Sequence, residues 1–510
     1  MNSFVKNLYS NWNKTATASK RTSHCSPSLR IESLEARRLM TRQAVIDFGG
    51  ESLSTTELQD GQWGQYSVAP FNVGATNISS FNSLFNRNAP SFLNIDGNGA
   101  IDRTDAFLAR REILNRVRED FAPYDLSIRE GDFNTNRSIL TDSPVGDVAV
   151  IVSGGASTEL GGFSALGLAP WTDLGNENEE IVFAFGGGIL SSTSTIDQFI
   201  AGTANTISQE MAHAFGLAHI VPNLVPANLS DAASHNVMGP ALNVSSNANF
   251  QDLTFTTDLI GNFNVSQSQN HPEFNNATAQ NSHRMLSHPD VLGASQGAWI
   301  ATLTPGQLTI NGSGRGDTID IVQDDDDTWS VDIRTNLLRI GRFTRFSFTS
   351  AVVDTTNPTI DSVNPFDRQI STVRVNGNNG NDAITMDAAI TTRMIASGGA
   401  GIDTIHGGGG NDILFGGSED DKLFGGGGHD NLQGGRGVDL LSGELGNDTL
   451  YGNSVFGDDG DIDVLVGDQD SDRFAVSDRN SPEDFIVDQV FEDSTFLYFN
   501  PFSIRRIFER

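Results

Sequence analysis

Cysteine is almost absent from this 510-residue chain. Its one copy, Cys25, lies near the start, which excludes a disulfide framework and a cysteine-based zinc site. Basic residues are scarce as well. Lys and Arg number 32 against 64 Asp and Glu, a formal charge of -32. A chain so acidic offers no general basic face to nucleic acid, and it suits a solvated surface or the capture of hard cations such as calcium. No apolar run approaches the ~18 residues a membrane-crossing helix needs. There is no Gly-rich phosphate loop, no nucleophile elbow and no basic–aromatic stripe. Hydrophobic residues still make up 37%, enough for globular folding over about two to four domains.

The few bases are unevenly placed. Residues 1–43 hold eight Lys or Arg and two Glu, whereas the remainder carries a net charge of -38. Such a basic, Ser/Thr/Asn-rich start reads as an export leader or a disordered tail, although it lacks the apolar core of an ordinary secretory signal. IESLEARRLMT (31–41) resembles a bacterial N-terminal surface-protein motif written LEPRxLL, with Ala36 for Pro and Met40 for the second Leu. With this segment removed, the rest of the chain is free of Cys, as suits export.

Residues 44–295 mix buried-strand patterns (AVIDF 44–48, DVAVIVS 147–153, EIVFAF 180–185) with helical ones (105–121 and 196–217). That alternation predicts an α/β domain. Residues 296–397 turn to short β-type runs, with degenerate copies of a repeat at 312–319 and 377–385. The expected architecture is an α/β N-terminal domain followed by an all-β region. A tandem repeat occupies 398–474, and a C-terminal cap is expected at 475–510.

The repeat is the strongest signal. Six nonapeptides run from GGAGIDTIH (398–406) to GELGNDTLY (443–451), with the pattern GGxGxDxUx and U a large apolar residue. Glycines allow tight turns that expose carbonyl oxygens. The sixth position supplies a carboxylate (Asp403, Asp412, Asp421, Asp430, Asp439 and Asp448), and the eighth an aliphatic side chain for the interior. Oxygen donors without nitrogen or sulfur select calcium. The pattern resembles the RTX, or hemolysin-type, repeat, which implies that the all-β region ends in a calcium-binding parallel β-roll at 398–474, with calcium between stacked turns and a location outside the cell. Glu419 and Glu444 occupy glycine positions and are expected to weaken their sites. Residues 398–474 hold 16 acids against three Lys or Arg, so this block is expected to need calcium to fold.

A second calcium candidate is NIDGNGAIDRTD (94–105). Asn94, Asp96, Asn98, Asp102 and Asp105 fall at EF-hand-like spacing, with Asp in place of the closing Glu; a polar, metal-free turn is the alternative.

The remaining chemistry lies in QEMAHAFGLAH (209–219). Gln209 and His213 share a helix face, and Gly216 can end the helix and return His219 towards the same point. Met238 follows in SHNVMGP (234–240). This resembles the metzincin zinc peptidases, HExxHxxGxxH followed by a Met-turn. The resemblance implies zinc held by His213 and His219, Glu210 as general base, and Met238 beneath the site, acting on a protein or peptide. Gln209 departs from it, since a neutral amide replaces the first imidazole and is a poor zinc donor. His235 is a conceivable substitute. Two functions follow: an extracellular zinc endopeptidase, or a calcium-hardened surface protein with an inactive peptidase scaffold. His271, His283 and His288 lie in a polar stretch and are expected to be solvated.

Overall fold

The computed structural model describes residues 42–54, 76–133, 136, 147–160, 164–169, 180–221, 233, 236–239, 241–244, 248–257, 279–289, 291–304, 306–324, 328–340, 343–354, 370–453, 461–476, 485–487 and 495–498. The leader before Arg42, His235 and His271 fall outside this set.

The first five-stranded sheet is built from β1 (Arg42–Asp47), β2 (Leu126–Glu130), β3 (Val148–Ser153), β4 (Gly167–Leu168) and β5 (Glu180–Phe185), in the order β2-β1-β3-β5-β4. All pairings are parallel except that of β4, which runs antiparallel to β5 at the edge. Parallel neighbours require crossovers, and helix α1 (Arg103–Asp120) supplies the one between β1 and β2. β3 and β5 are buried at every residue, which is why they read as unbroken apolar runs rather than alternating ones.

The short helix α2 (Gly186–Ser191) follows β5, and α3 (Ile196–Ala214) follows α2. Thr195 caps α3 by accepting the Gln198 amide hydrogen. Ala44, Ile46, Val150 and Val182 join one core with α1 and α3 residues such as Ile113, Val117, Ile207 and Met211. Val45, Ile151, Ile181 and Phe183 form a second core with Phe133 and Leu160. His283 is not solvated as its polar neighbourhood suggested. It is partly buried, with Nδ1 3.1 Å from the Tyr124 hydroxyl.

From Trp299 onward the chain forms two nine-stranded sheets, to which successive strands contribute alternately through the repeats. One sheet runs from Trp299–Thr304 to Thr495–Tyr498, the other from Phe343–Asp354 to Phe485–Val487. Antiparallel pairs occupy their starts (299–311 in one sheet, 317–354 in the other), and every later pairing is parallel. Neither sheet breaks between 397 and 398, where the repeat pattern begins, because the degenerate copies at 312–319 and 377–385 already stack in register. Thr318–Ile321 pair with Ala383–Met386, and Ala383–Thr385 with Thr404–His406. The described parts of 475–510 add one strand to each sheet.

The eighth-position residues face inward, as their pattern predicts. Leu414, Leu432 and Leu450 align on one sheet and Ile405, Leu423 and Leu441 on the other, all 0% exposed. Each rung has only its neighbours above, below and across to fill it. Leu432→Ala should therefore lower the stability of the calcium-loaded roll by about 2–5 kcal/mol, read as a shifted denaturant midpoint at fixed calcium. A shift below 1 kcal/mol would show that the interior is not close-packed.

Candidate functional sites

The sixth-position aspartates form two rows. In one, the backbone N–H of each member donates to Oδ1 of the next: Asp317 to Asp382 (2.6 Å), Asp382 to Asp403 (2.7 Å), Asp403 to Asp421 (2.8 Å), Asp421 to Asp439 and Asp439 to Asp463 (both 2.9 Å). In the other, Met394 donates to Asp412, Asp412 to Asp430, Asp430 to Asp448, and Asp448 to Asp472, over 2.7–2.9 Å. All six aspartates named from the repeat lie in these rows, buried to 3% exposure or less. Asp317, Asp382, Asp463 and Asp472 join them without having been singled out. Asp382 was legible in GNNGND, whereas Asp463 follows an insertion that stretches the usual 18-residue step to 24.

Glycine is required at the loops by close approach. At Gly399, φ is 108°, and a Cβ would stand 2.0 Å from the Asn378 carbonyl oxygen. Glu419 (φ 81°) and Glu444 (φ 68°) do adopt the left-handed conformation their glycine positions demand, at a backbone cost of roughly 1–2 kcal/mol each.

Oδ2 of Asp382, Asp403, Asp421, Asp430 and Asp448 is buried with no hydrogen-bond partner. Buried carboxylates in rows, each with one oxygen satisfied and one orphaned, call for a cation that brings no bulk of its own. Without metal, burial first and neighbouring acids second push these carboxyls up: Asp403 to about 6, Asp421 and Asp448 to about 7, and Asp382 and Asp430 to about 8.

The EF-hand-like residues are used differently. Asp102 caps α1, accepting the Thr104 amide hydrogen at 2.7 Å. Asp105 is 0% exposed, and its two oxygens accept the amide hydrogens of Ile95 (2.6 Å), Asp96 (3.2 Å) and Asp102 (2.9 Å). Asp96 and Asn98 bond to each other at the exposed tip, and Asn94 Oδ1 is buried without a partner. A cation here would have to displace amides from Asp105.

The histidine site sits at the C-terminal end of α3. Gly216, at φ 95°, ends the helix: its N–H donates to the His213 carbonyl, and the Leu217 N–H donates to that of Ala212. This reversal brings His219 Nε2 to 3.0 Å from His213 Nε2. His213 Nδ1 lies 2.7 Å from the Leu217 carbonyl oxygen, which fixes its proton there and leaves Nε2 as a lone pair. Burial, and then the adjacent His219, lower the His213 imidazole to about 3, so it is neutral at any physiological pH. The two facing nitrogens need a proton on His219 or a shared cation.

Met238 is fully buried, and its carbonyl accepts the Ile220 amide hydrogen at 2.9 Å, which ties the turn at Met238 to the residue after His219. Glu210 is 7% exposed, accepts the Ala169 backbone N–H beside edge strand β4, and is pushed up to about 8 by burial.

Gln209 does not complete the set. Its amide nitrogen donates to the Gly239 carbonyl at 2.5 Å, so the side chain is committed to the Met-turn backbone. Among the described residues, only Asp47, Glu51 and Asp132 bring three imidazole, thiol or carboxylate donors within 4.8 Å of one another. Zinc would therefore find two imidazole donors here and no third among the described residues, a partial fit that supports no reaction step through the metal.

Residues 395–423 and 424–461 match the RTX calcium-binding nonapeptide repeat, in four copies. The chain thus carries RTX calcium-binding repeats. No curated protein matches it, and nothing in these comparisons bears on the histidine site.

The raised carboxyls give a test of the rows. Unfolded aspartates titrate near 3.8, whereas the metal-free native roll holds its protons up to pH 6–8. The native state binds more protons between those limits, so metal-free stability should fall as pH rises through that window and level off above about 8. In chelator, the β-signal in circular dichroism should be weak at pH 8 and partly recover at pH 5. An equal signal at both would contradict the buried-row geometry.

Proposed function

We propose that this chain is an RTX-repeat protein that works outside the cell, where calcium fills its carboxylate rows. On this reading residues 44–295 form a metzincin-like domain whose zinc site is incomplete, leaving peptidase activity weak or lost. The calcium role and location are supported by the matched repeats, the acid excess and the lack of Cys after Cys25. No helix among the described residues is long and apolar enough to cross a membrane.

The observation that carries the peptidase-like reading is the convergence of His213 and His219 at 3.0 Å, with Glu210 on the same helix as His213 and a buried Met238 bonded to the Ile220 amide. The observation that argues against full activity is the Gln209 side chain bonded to Gly239 instead of presenting an imidazole. In this scaffold Glu210 would hold a proton beside the edge strand, and the backbone of β4 would be the natural neighbour of an extended peptide. The loop at 94–105 is a further calcium candidate, subordinate to the roll.

The test is a single substitution. Wild-type protein purified with calcium should hold zinc weakly and leave an unfolded protein substrate uncut. Gln209→His returns an imidazole one turn before His213 and should raise zinc affinity more than about tenfold. Glu210→Ala in that background should keep the zinc and abolish any cleavage gained. Stoichiometric zinc and brisk proteolysis in the wild type would establish the active endopeptidase instead. No gain of zinc in Gln209→His would overturn the metzincin-like reading.

A further inference from the structure

The turns of the roll carry a backbone signature. In the repeat loops 398–403, 416–421, 425–430, 434–439 and 443–448, both the second and the fourth residue have positive φ, from Gly399 (108°) and Gly401 (128°) to Glu444 (68°) and Gly446 (131°). Paired left-handed residues turn successive peptide groups to one side and stack loop on loop. Two loops break with the sequence pattern in opposite directions. Residues 377–382 (GNNGND) precede the matched repeats, yet Asn378 has φ 78° and Gly380 φ 114°. An asparagine accepts here a conformation that costs any residue with a Cβ. Residues 407–412 (GGGGND) fit the repeat in full, yet none of Gly407, Gly408, Gly409 and Gly410 has positive φ.

The carboxylates of these two loops differ in the same sense. Asp382 is 3% exposed; its Oδ1 accepts the Asp317 amide hydrogen, and its Oδ2 has no partner, the same arrangement as in Asp430. Asp412 Oδ2 instead accepts the Gly408 N–H at 2.9 Å, and its Oδ1 accepts the Met394 N–H. The residue before Met394 is Arg393, whose guanidinium favours the charged form of Asp412. The step above Asp412 therefore offers a cation where every lower step of that row offers another carboxylate.

Asp317, at the head of the other row, is likewise satisfied by protein. Its Oδ2 accepts the Ser313 amide (2.5 Å) and hydroxyl (2.9 Å) hydrogens, and its Oδ1 the Thr335 hydroxyl. Both rows thus begin with an aspartate whose second oxygen is bonded to the loop's own second residue.

We propose that the calcium array is offset from the repeat pattern: the turn at 377–382 holds a calcium ion through Asp382, and the turn at 407–412 holds none, both Asp412 oxygens being answered by the Gly408 and Met394 amides. This rests on the calcium reading of the roll. It makes a turn outside the matched repeats a metal site, and a full match to the pattern a metal-free cap.

The test counts bound calcium on the full chain by equilibrium dialysis at saturating metal, with Asp430→Asn as the reference. Asn keeps an Oδ1 acceptor for the amide above and removes buried charge, so each variant should fold, and circular dichroism at saturating calcium checks this. Asp430→Asn and Asp382→Asn should each bind at least one calcium ion fewer than wild type, and Asp412→Asn the same number as wild type. If Asp382→Asn does not reach the wild-type signal, Asp382→Ser replaces it under the same criterion. The proposal is overturned if Asp412→Asn loses calcium or if the Asp382 variant keeps the full number. If Asp430→Asn also loses none, the calcium reading of the rows has failed as well.

Discussion

Rows of like charge set the terms for this molecule. Aspartates in successive steps of one sheet edge lie one strand spacing apart, about 4.8 Å. At an effective dielectric constant of about 20, two unit charges at that distance repel by about 3 kcal/mol. Each step also buries one Leu or Ile side chain, worth about 1.5–3 kcal/mol. The two contributions nearly cancel, and the conformational entropy of a glycine-rich chain then tips the balance towards unfolding. A divalent cation between steps reverses the sign of the charge interaction and satisfies the orphaned Oδ2 atoms. The roll is accordingly a structure whose stability is delegated to the medium. The antiparallel start at 299–354 and the protein-bonded Asp317 and Asp412 are the places where that dependence stops.

The mostly parallel first sheet and its helices depend on a different economy. They are closed by apolar contacts such as Ile46, Val150, Ile207 and Met211, none of which needs a metal. In this part of the chain, the Gly216 reversal and the Leu217 carbonyl hold His213 and His219 with their Nε2 atoms 3.0 Å apart. The hydrogen bond from Gln209 to Gly239 joins helix α3 to the turn at Met238 directly, through protein groups alone.

Much of this was legible in the residues themselves. The nine-residue period located the carboxylate and aliphatic positions, and unbroken apolar runs located β3 and β5, because both patterns follow directly from strand geometry. The 397–398 border faded because register, not composition, decides where a sheet continues, and GSGRGD and GNNGND keep the register while losing the consensus. Asp463 was hidden by its six-residue longer step. The conformation of 407–412 could not be read at all, since glycine permits either hand of turn and the choice is made by Gly408 and Met394 against Asp412. His283 was misjudged for a related reason: its partner, Tyr124, is 159 residues away.

Hydrogen exchange across the whole chain, followed by mass spectrometry in calcium and in chelator at neutral pH, tests the central claim most directly. With calcium, amides of both the α/β core and the two sheets should be protected. In chelator, protection should vanish through the repeat steps from 398 to 472 while persisting in β3, β5 and α3. Equal protection of the repeat steps in both conditions would contradict the account, because the buried carboxylate rows would then be stable without any cation.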